Sequence, residues 1–428
     1  MLCAGLIGAK WAAQIWLECL NQRHVRHHAR EVPPAFAGTV TPETYAKSVE
    51  YTLAKSRFDM IELTWGAVLL AVVLFSGVLP WFHQTIRHAA GSSIWADAGF
   101  LVAVGVALAV LDLPFEWHAQ FQLEERFGFN TTTAATWWLD RVKGLLLALA
   151  LGYPLLALIL KLVGWLGAGW WFWAWVCVAA FQLLLLLAAP FLILPLFNKF
   201  TPLPPGELRD ALLALGRRAG FRAGDIQVMD GSKRSRHSNA FFTGLGRFRK
   251  IVLFDTLVRQ LDRGELESVL AHEIGHYKKG HIPKTIALSL GGGLLAFWLI
   301  SLLAGQPWFL AGFGFAPGEM APALLLFALL SGVVTFWLLP LFHFLSRRHE
   351  YEADAFAAAL MQQRQPLIAA LRKLNEKNLS NLTPHPFYSG FYYSHPTLLE
   401  REAALAATDA KRQDGGSRME SAAGKPGE

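Results

Sequence analysis

The stretch Glu265–His281, ELESVLAHEIGHYKKGH, places two histidines four residues apart, with a glutamate directly after the first. Residues four apart share one face of an α-helix, so His272 and His276 can offer imidazole nitrogens to a single metal ion. Glu273 is turned about 100° around the same helix. From there it can take a proton from a water at the metal without being a ligand itself. Zinc suits such donors and lowers the pKa of its water towards 7, so the chemistry on offer is hydrolysis of a carbonyl compound. Two histidines leave the ligand set one short.

The third ligand is not obvious nearby. His281 lies five residues beyond His276 and past Gly280, where the helix is expected to end, and no metzincin-type glycine pattern follows. A carboxylate from another helix is a better source. In SRRHEYEADAF, Ser346–Phe356, Glu350 and Asp354 are four apart and share a face. That E-x-x-x-D spacing is the one found in thermolysin-like zinc sites, where the Glu binds the metal and the Asp holds a ligand histidine by its other ring nitrogen. On this reading one Zn2+ per chain is held by His272, His276 and Glu350, with Asp354 behind His272. Glu352 is the nearest rival to Glu350, but it points to a different face from Asp354. An isolated HExxH arises by chance in roughly a few per cent of chains, and scattered acids are common on surface helices. The weight rests on the two motifs together.

The elements that must position these residues come from an apolar chain. Of 428 residues, 54% are hydrophobic and 17% charged, and the mean hydropathy is +0.33. A soluble domain is less apolar than this. Apolar runs at 3–20, 66–83, 94–113, 144–163, 169–195, 286–303 and 322–345 approach or exceed the roughly 20 residues that cross a bilayer. The first is interrupted by Lys10 and Glu18 and lacks the charged start and cleavage site of a signal peptide, so it is read as a retained span. Lys and Arg concentrate in alternate connections. Segments 21–65, 114–143, 196–285 and 346–428 carry 6, 3, 16 and 11, whereas 84–93, 161–168 and 304–320 carry 1, 1 and 0. The pattern predicts seven spans, with the N-terminus outside and the C-terminus in the cytoplasm. The net charge of +7 then reflects a cytoplasmic face beside anionic lipid and calls for no nucleic acid. Cys3, Cys19 and Cys177 all lie in apolar segments and suggest neither disulfides nor a thiolate metal site.

Three parts follow. Residues 1–195 form a membrane domain of five spans. Residues 196–408 form a peptidase domain interrupted by the spans at 286–303 and 322–345. Its first block opens with a Pro-rich turn and an amphipathic helix, followed by β-rich pieces DIQVMD, NAFFTGLG and KIVLFDTL. Residues 409–428 are small, polar and charged and read as a disordered tail. Lys10, Glu18, Asp97 and Asp112 either face water inside the protein or sit at bilayer interfaces.

These motifs together resemble the type I CAAX prenyl proteases, integral-membrane zinc metalloproteases that process prenylated C-termini. The resemblance is carried by DGSKRSRHSNAFFTG, KIVLFDTL, LAHEIGHYKKGH, SRRHEYEADAFA and YSHPTLLER, in family order, and by LNQRHVRHH and LEERFGFN nearer the N-terminus. It extends over nearly the whole chain except the tail. It implies a mainly α fold: seven membrane helices enclosing a water-filled chamber, with a thermolysin-like protease domain of a small sheet plus helices on the cytoplasmic side. It further implies that SNAF is an edge strand pairing with substrate backbone, which makes Asn239 and Ala240 substrate contacts. His395 would stabilise the oxyanion, and Arg401 would be a buried support for the site. Without the resemblance, an ordinary turn into a strand and a helix-entry histidine would be the plainer readings.

Composition rich in Ala, Leu, Arg and Trp suggests a bacterial member in an inner membrane, and the C-terminus AGKPGE carries no evident ER-retrieval signal. The expected partners are a peptide or protein substrate, prenylated in the leading reading, and membrane lipids. An HtpX-like quality-control protease has the same zinc core but fewer spans. A protease with its zinc inside the bilayer disagrees with the charged residues flanking the motif. A non-catalytic transporter or channel would fit the spans, but a structural metal site needs no base such as Glu273.

Overall fold

A computed structural model describes residues 1–221, 225–238, 240–243 and 250–407. The apolar runs become long helices. α1 (Leu2–His28), α2 (Pro42–Phe75), α3 (Val78–Ala90) and α4 (Ile94–His118) come first, and α4 runs on through a π-helical stretch, Ala119–Glu124, into α5 (Glu125–Phe127). α6 (Ala134–Leu166) and α7 (Trp170–Ala188) are joined by a 3-10 turn, Gly167–Gly169, and α7 continues into α8 (Leu194–Phe197). Then follow β1 (Phe200–Pro202), α9 (Glu207–Arg218), β2 (Asp225–Met229), β3 (Ala240–Thr243), β4 (Lys250–Phe254), α10 (Asp255–Gln260) and α11 (Arg263–Lys278). The chain closes with α12 (His281–Ala304), α13 (Pro307–Ala311), α14 (Met320–Thr335), α15 (Leu339–Met361), α16 (Gln365–Lys377) and α17 (Pro386–Tyr392), and residues 398–407 are again helical.

Five helical segments are long and apolar enough to cross a membrane: Pro42–Phe75, Ile94–Phe127, Ala134–Phe197, His281–Ala304 and Met320–Met361. The third has 64 residues and contains both α6 and α7. α1 is not among the five. Large apolar side chains point outward on these helices, with Val68, Leu146, Trp173 and Leu184 each more than half exposed. Hydrocarbon takes up such surface, and the helices satisfy their own backbone groups.

The run at 66–83 does not form one helix. Gly77, at φ 81°, ends α2 and caps α3, a left-handed conformation that costs glycine little. α2 instead begins at Pro42, capped by the Thr41 hydroxyl accepting from Thr44 N–H. Its first half thus comes from a stretch the charge pattern assigned to a connection.

The polar half builds a four-stranded sheet in the order β1-β2-β4-β3. β2 and β4 are parallel, while β1 and β3 run antiparallel on the outside. α9, the sheet and α11 bury Leu212, Leu215, Ile226, Ile251, Leu257, Leu270 and Ile274 almost completely. Each such side chain contributes about 1.5–3 kcal/mol by leaving water. α11 starts at a capping box in which Asp262 and Glu265 satisfy each other's backbone N–H. It ends at Gly280, whose φ of 67° turns the chain directly into α12. α14 passes through a 3-10 turn, Phe336–Leu338, into α15, so the last apolar span and the SRRHEYEADAF helix form one segment.

Candidate active site

α11 supplies His272, Glu273 and His276, and α15 supplies Glu350 and Asp354. The two helices can meet only because their contact residues are small. Ala271, Ala353 and Ala357 are essentially buried, and a Cβ on Gly275 would lie 3.0 Å from both the Cα and the carbonyl oxygen of Ala353. A larger residue there would force the helices apart and separate the histidines from the carboxylates.

The donor atoms converge. His272 Nε2 lies 3.4 Å from Glu350 Oε2, and His276 Nε2 lies 3.2 Å from Glu350 Oε1. The two Nε2 atoms are 3.1 Å apart. One ligand atom from each of His272, His276 and Glu350 falls within 4.8 Å of the others. Glu350 Oε2 is buried without a hydrogen bond, a costly arrangement for a carboxylate oxygen. Two imidazoles and an orphaned carboxylate oxygen facing one point are the donor set of a metal ion, and the residues fit one.

Each histidine is held from behind in a different way. His272 donates from Nδ1 to Asp354 Oδ1 at 2.8 Å, and Arg401 donates to both oxygens of Asp354, at 2.8 and 2.5 Å. This fixes Nε2 as the outward nitrogen. Burial alone would lower the His272 pKa, but the Asp354 and Glu350 carboxylates outweigh it and push it up to about 9. His276 Nδ1 lies 3.0 Å from Nδ1 of His281, whose Nε2 lies 3.2 Å from Glu352 Oε2. Glu352 is therefore turned to His281, and Glu350 alone reaches the ligand cluster.

Glu273 makes no hydrogen bond to the described residues, and burial raises its pKa above the usual glutamate value. A carboxylate in that state is a better proton acceptor than one in water. His395 comes from the segment before the final helix, with Nε2 3.4 Å from Glu350 Oε1, and Ser394 Oγ is 3.0 Å from its Nδ1. His395 and Arg401 line a cavity of about 930 Å³ shared with Asn21, Lys55, Asp59 and Tyr388. A second cavity of about 610 Å³ adjoins it through Lys55 and Asp59 and reaches Lys10, Glu18 and Glu62.

Seven of the site residues expected from sequence are thus gathered at one place: His272, Glu273, His276, Glu350, Asp354, His395 and Arg401. Ala240 opens β3, an edge of the sheet, opposite Leu253, and β3 runs near α11. Asn239 lies outside the described residues. Lys10 and Glu18 line the second cavity. Asp97 instead pairs with Arg87 at 3.2 Å and His83 at 3.3 Å, beside Glu319, and Asp112 sits on an exposed face of α4. Sequence reading missed the His281–Glu352 pair. Its only signal in the sequence is a histidine five residues past the motif. It also missed Tyr388 and its neighbours, which carry no periodicity.

Comparison with known proteins finds relatives over most of the chain. Residues 21–199 match the family model for the CAAX prenyl protease N-terminal region with five membrane helices, and residues 202–409 match peptidase family M48. CAAX prenyl protease 1 of Saccharomyces cerevisiae is 37% identical over 415 residues, covering 90% of each chain. The Homo sapiens homologue is 31% identical over 449 residues, covering 92% of this chain and 93% of its own. The crystal structure of Saccharomyces mikatae Ste24p superposes with a TM-score of 0.87 at 34% identity, covering 94% of this chain and 98% of that one. With its clustered metal-ligand residues and its long apolar helices, the chain belongs to peptidase family M48 and is an integral-membrane metalloendopeptidase of the CAAX prenyl protease type.

Proposed function

We propose that the chain is a zinc endopeptidase that removes the C-terminal residues of prenylated CAAX peptides. The observation that carries this reading is the convergence of His272, His276 and Glu350 beside Glu273. One zinc ion per chain would be held by those three residues, and it would supply Lewis acidity towards a peptide carbonyl and towards water. Glu273 accepts the proton of the attacking water and then delivers it to the leaving amine. His395 faces the reacting carbonyl from the cavity side and donates to the charge that develops on its oxygen. Asp354, backed by Arg401, keeps the proton of His272 on Nδ1 and its Nε2 free. Asn239 and Ala240, at the edge strand, bind the peptide backbone by extending the sheet.

The same proposal includes the topology. α1 has 27 residues, a length of about 40 Å, and turns Lys10 and Glu18 inward, which supports counting it as a crossing. Dividing Ala134–Phe197 at Gly167–Gly169 makes two crossings of one segment and supports a seventh. Seven crossings then enclose the adjoining cavities as a polar chamber, with residues 1–195 as the membrane domain, 196–408 as the peptidase domain and 409–428 as a tail. The Lys and Arg distribution supports an outside N-terminus and a cytoplasmic peptidase domain, and the Ala-, Leu-, Arg- and Trp-rich composition supports a bacterial inner membrane.

The test uses detergent-purified full-length protein and its Glu273→Gln variant, each offered a farnesylated CAAX peptide and the same peptide without lipid. Cleavage by the wild type alone, faster with lipid, is the expected result. Equal cleavage of both peptides would overturn the prenyl specificity and favour a broader role in membrane-protein quality control.

A further inference from the structure

His276 differs from His272 in what stands behind it. Among the described residues no carboxylate touches its Nδ1; a second imidazole does. His281 is 3% exposed, its ring stacks on that of His349 at 4.0 Å, and its two nitrogens are spoken for by His276 at 3.0 Å and Glu352 at 3.2 Å. Gly280 makes the arrangement possible. Its left-handed turn carries the chain from the end of α11 to the start of α12 and folds the His281 ring back against His276.

The protons can be followed along this row. With Nε2 of His276, 3.2 Å from Glu350 Oε1, given over to the metal that the two would share, Nδ1 must carry the hydrogen. That hydrogen is donated to the lone pair on Nδ1 of His281. His281 then carries its own hydrogen on Nε2, which it donates to Glu352. Every donor finds an acceptor, no group is left charged without a partner, and only one tautomer of each ring satisfies the chain.

We propose that His281, oriented by Glu352, is a positioning residue for the metal site: it fixes the tautomer and ring orientation of His276 so that Nε2 faces the metal. The proposal rests on the reading of His272, His276 and Glu350 as zinc ligands. It gives the two histidines unlike supports, an ionic one through Asp354 and Arg401 for His272 and a neutral relay for His276.

Two variants of the full chain separate positioning from packing. His281→Phe keeps a ring against His349 but can neither accept nor donate. His281→Gln loses the ring but offers both an acceptor and a donor. Zinc affinity is measured by competition with a chromophoric chelator, and the melting temperature of the metal-free protein is read alongside. His281→Phe should lower zinc affinity about 10–100-fold with little change in metal-free melting, and His281→Gln should recover most of that loss. Unchanged zinc affinity in His281→Phe overturns the proposal. So does a parallel loss of zinc affinity and metal-free stability in both variants, since packing alone would explain it. Failure of the wild type to bind zinc at all would overturn the ligand assignment as well. Stoichiometric zinc and peptidase activity in the wild type, together with an indifferent His281→Phe, would remove the relay alone.

Discussion

The two halves of this molecule are built inside out relative to each other. Around α11 the apolar side chains turn inward, so Leu270 and Ile274 are nearly sealed while the surface is charged. In the membrane half the large apolar side chains of the spans turn outward, and Lys55 and Asp59 of α2, with Lys10 and Glu18 of α1, line a cavity. One chain therefore uses two solvents, and its polar groups gather wherever the local solvent leaves them room. The comparison also shows why the metal site sits where it does. It lies where the two arrangements meet, with its buried charges drawn from α11, α15 and the final helix.

The largest expected effect confines itself to one half. Glu273→Gln removes the base while leaving every ligand in place, and should lower the rate of peptide cleavage by about 10²–10⁴-fold with zinc content and melting unchanged. Retained turnover would mean that the proton goes elsewhere. Arg401→Leu strikes deeper, because it leaves the Asp354 carboxylate buried without its cation, at a cost of about 3–5 kcal/mol. Chelator competition should show zinc affinity falling about 10–100-fold, and the loss should not extend to the far end of the spans.

Acidity gives a third way to sharpen the contrast. His272 has a pKa raised from 6.5 to about 9 in the folded, metal-free protein. A raised pKa stabilises the fold fully below the unfolded value and is lost as pH rises through the folded one. Metal-free protein should therefore melt at progressively lower temperature from about pH 6.5 to 9. Zinc has the opposite dependence, since it must displace that proton, so its protection should grow over the same window. Scanning calorimetry with and without zinc reads both slopes; parallel slopes would overturn the argument. The smallest effect belongs to the opposite end. Asp97→Asn weakens the pairing with Arg87 and His83, which should cost about 1–3 kcal/mol in stability and leave zinc affinity and turnover untouched.

The sequence made the ligand cluster readable because helices repeat. His272 and His276, and again Glu350 and Asp354, are four apart, so each pair shares a face before any tertiary contact is known. The spans were readable for the same reason, as long apolar runs, but their ends were not. Gly77 cuts one run, and α2 draws half its length from residues that look polar. What stayed hidden depends on the chain returning from elsewhere. His395 and Arg401 became visible through likeness to a family, and Tyr388 reaches Glu18 at 2.9 Å across 370 residues. No local pattern encodes such a meeting. Glu352 shows a subtler limit: periodicity turned it away from Asp354, but only the turn at Gly280 brings His281 round to meet it.

One feature of the fold ties chemistry to the lipid directly. Glu350 stands on a helical segment, Met320–Met361, whose other end is an apolar span. A span tilts when the hydrocarbon layer is thinner or thicker than its apolar length. A tilt there moves a ligand atom as well as a membrane anchor. Bilayer thickness should then act on the site, and reconstitution into lipids of graded acyl-chain length should give a turnover optimum at one thickness.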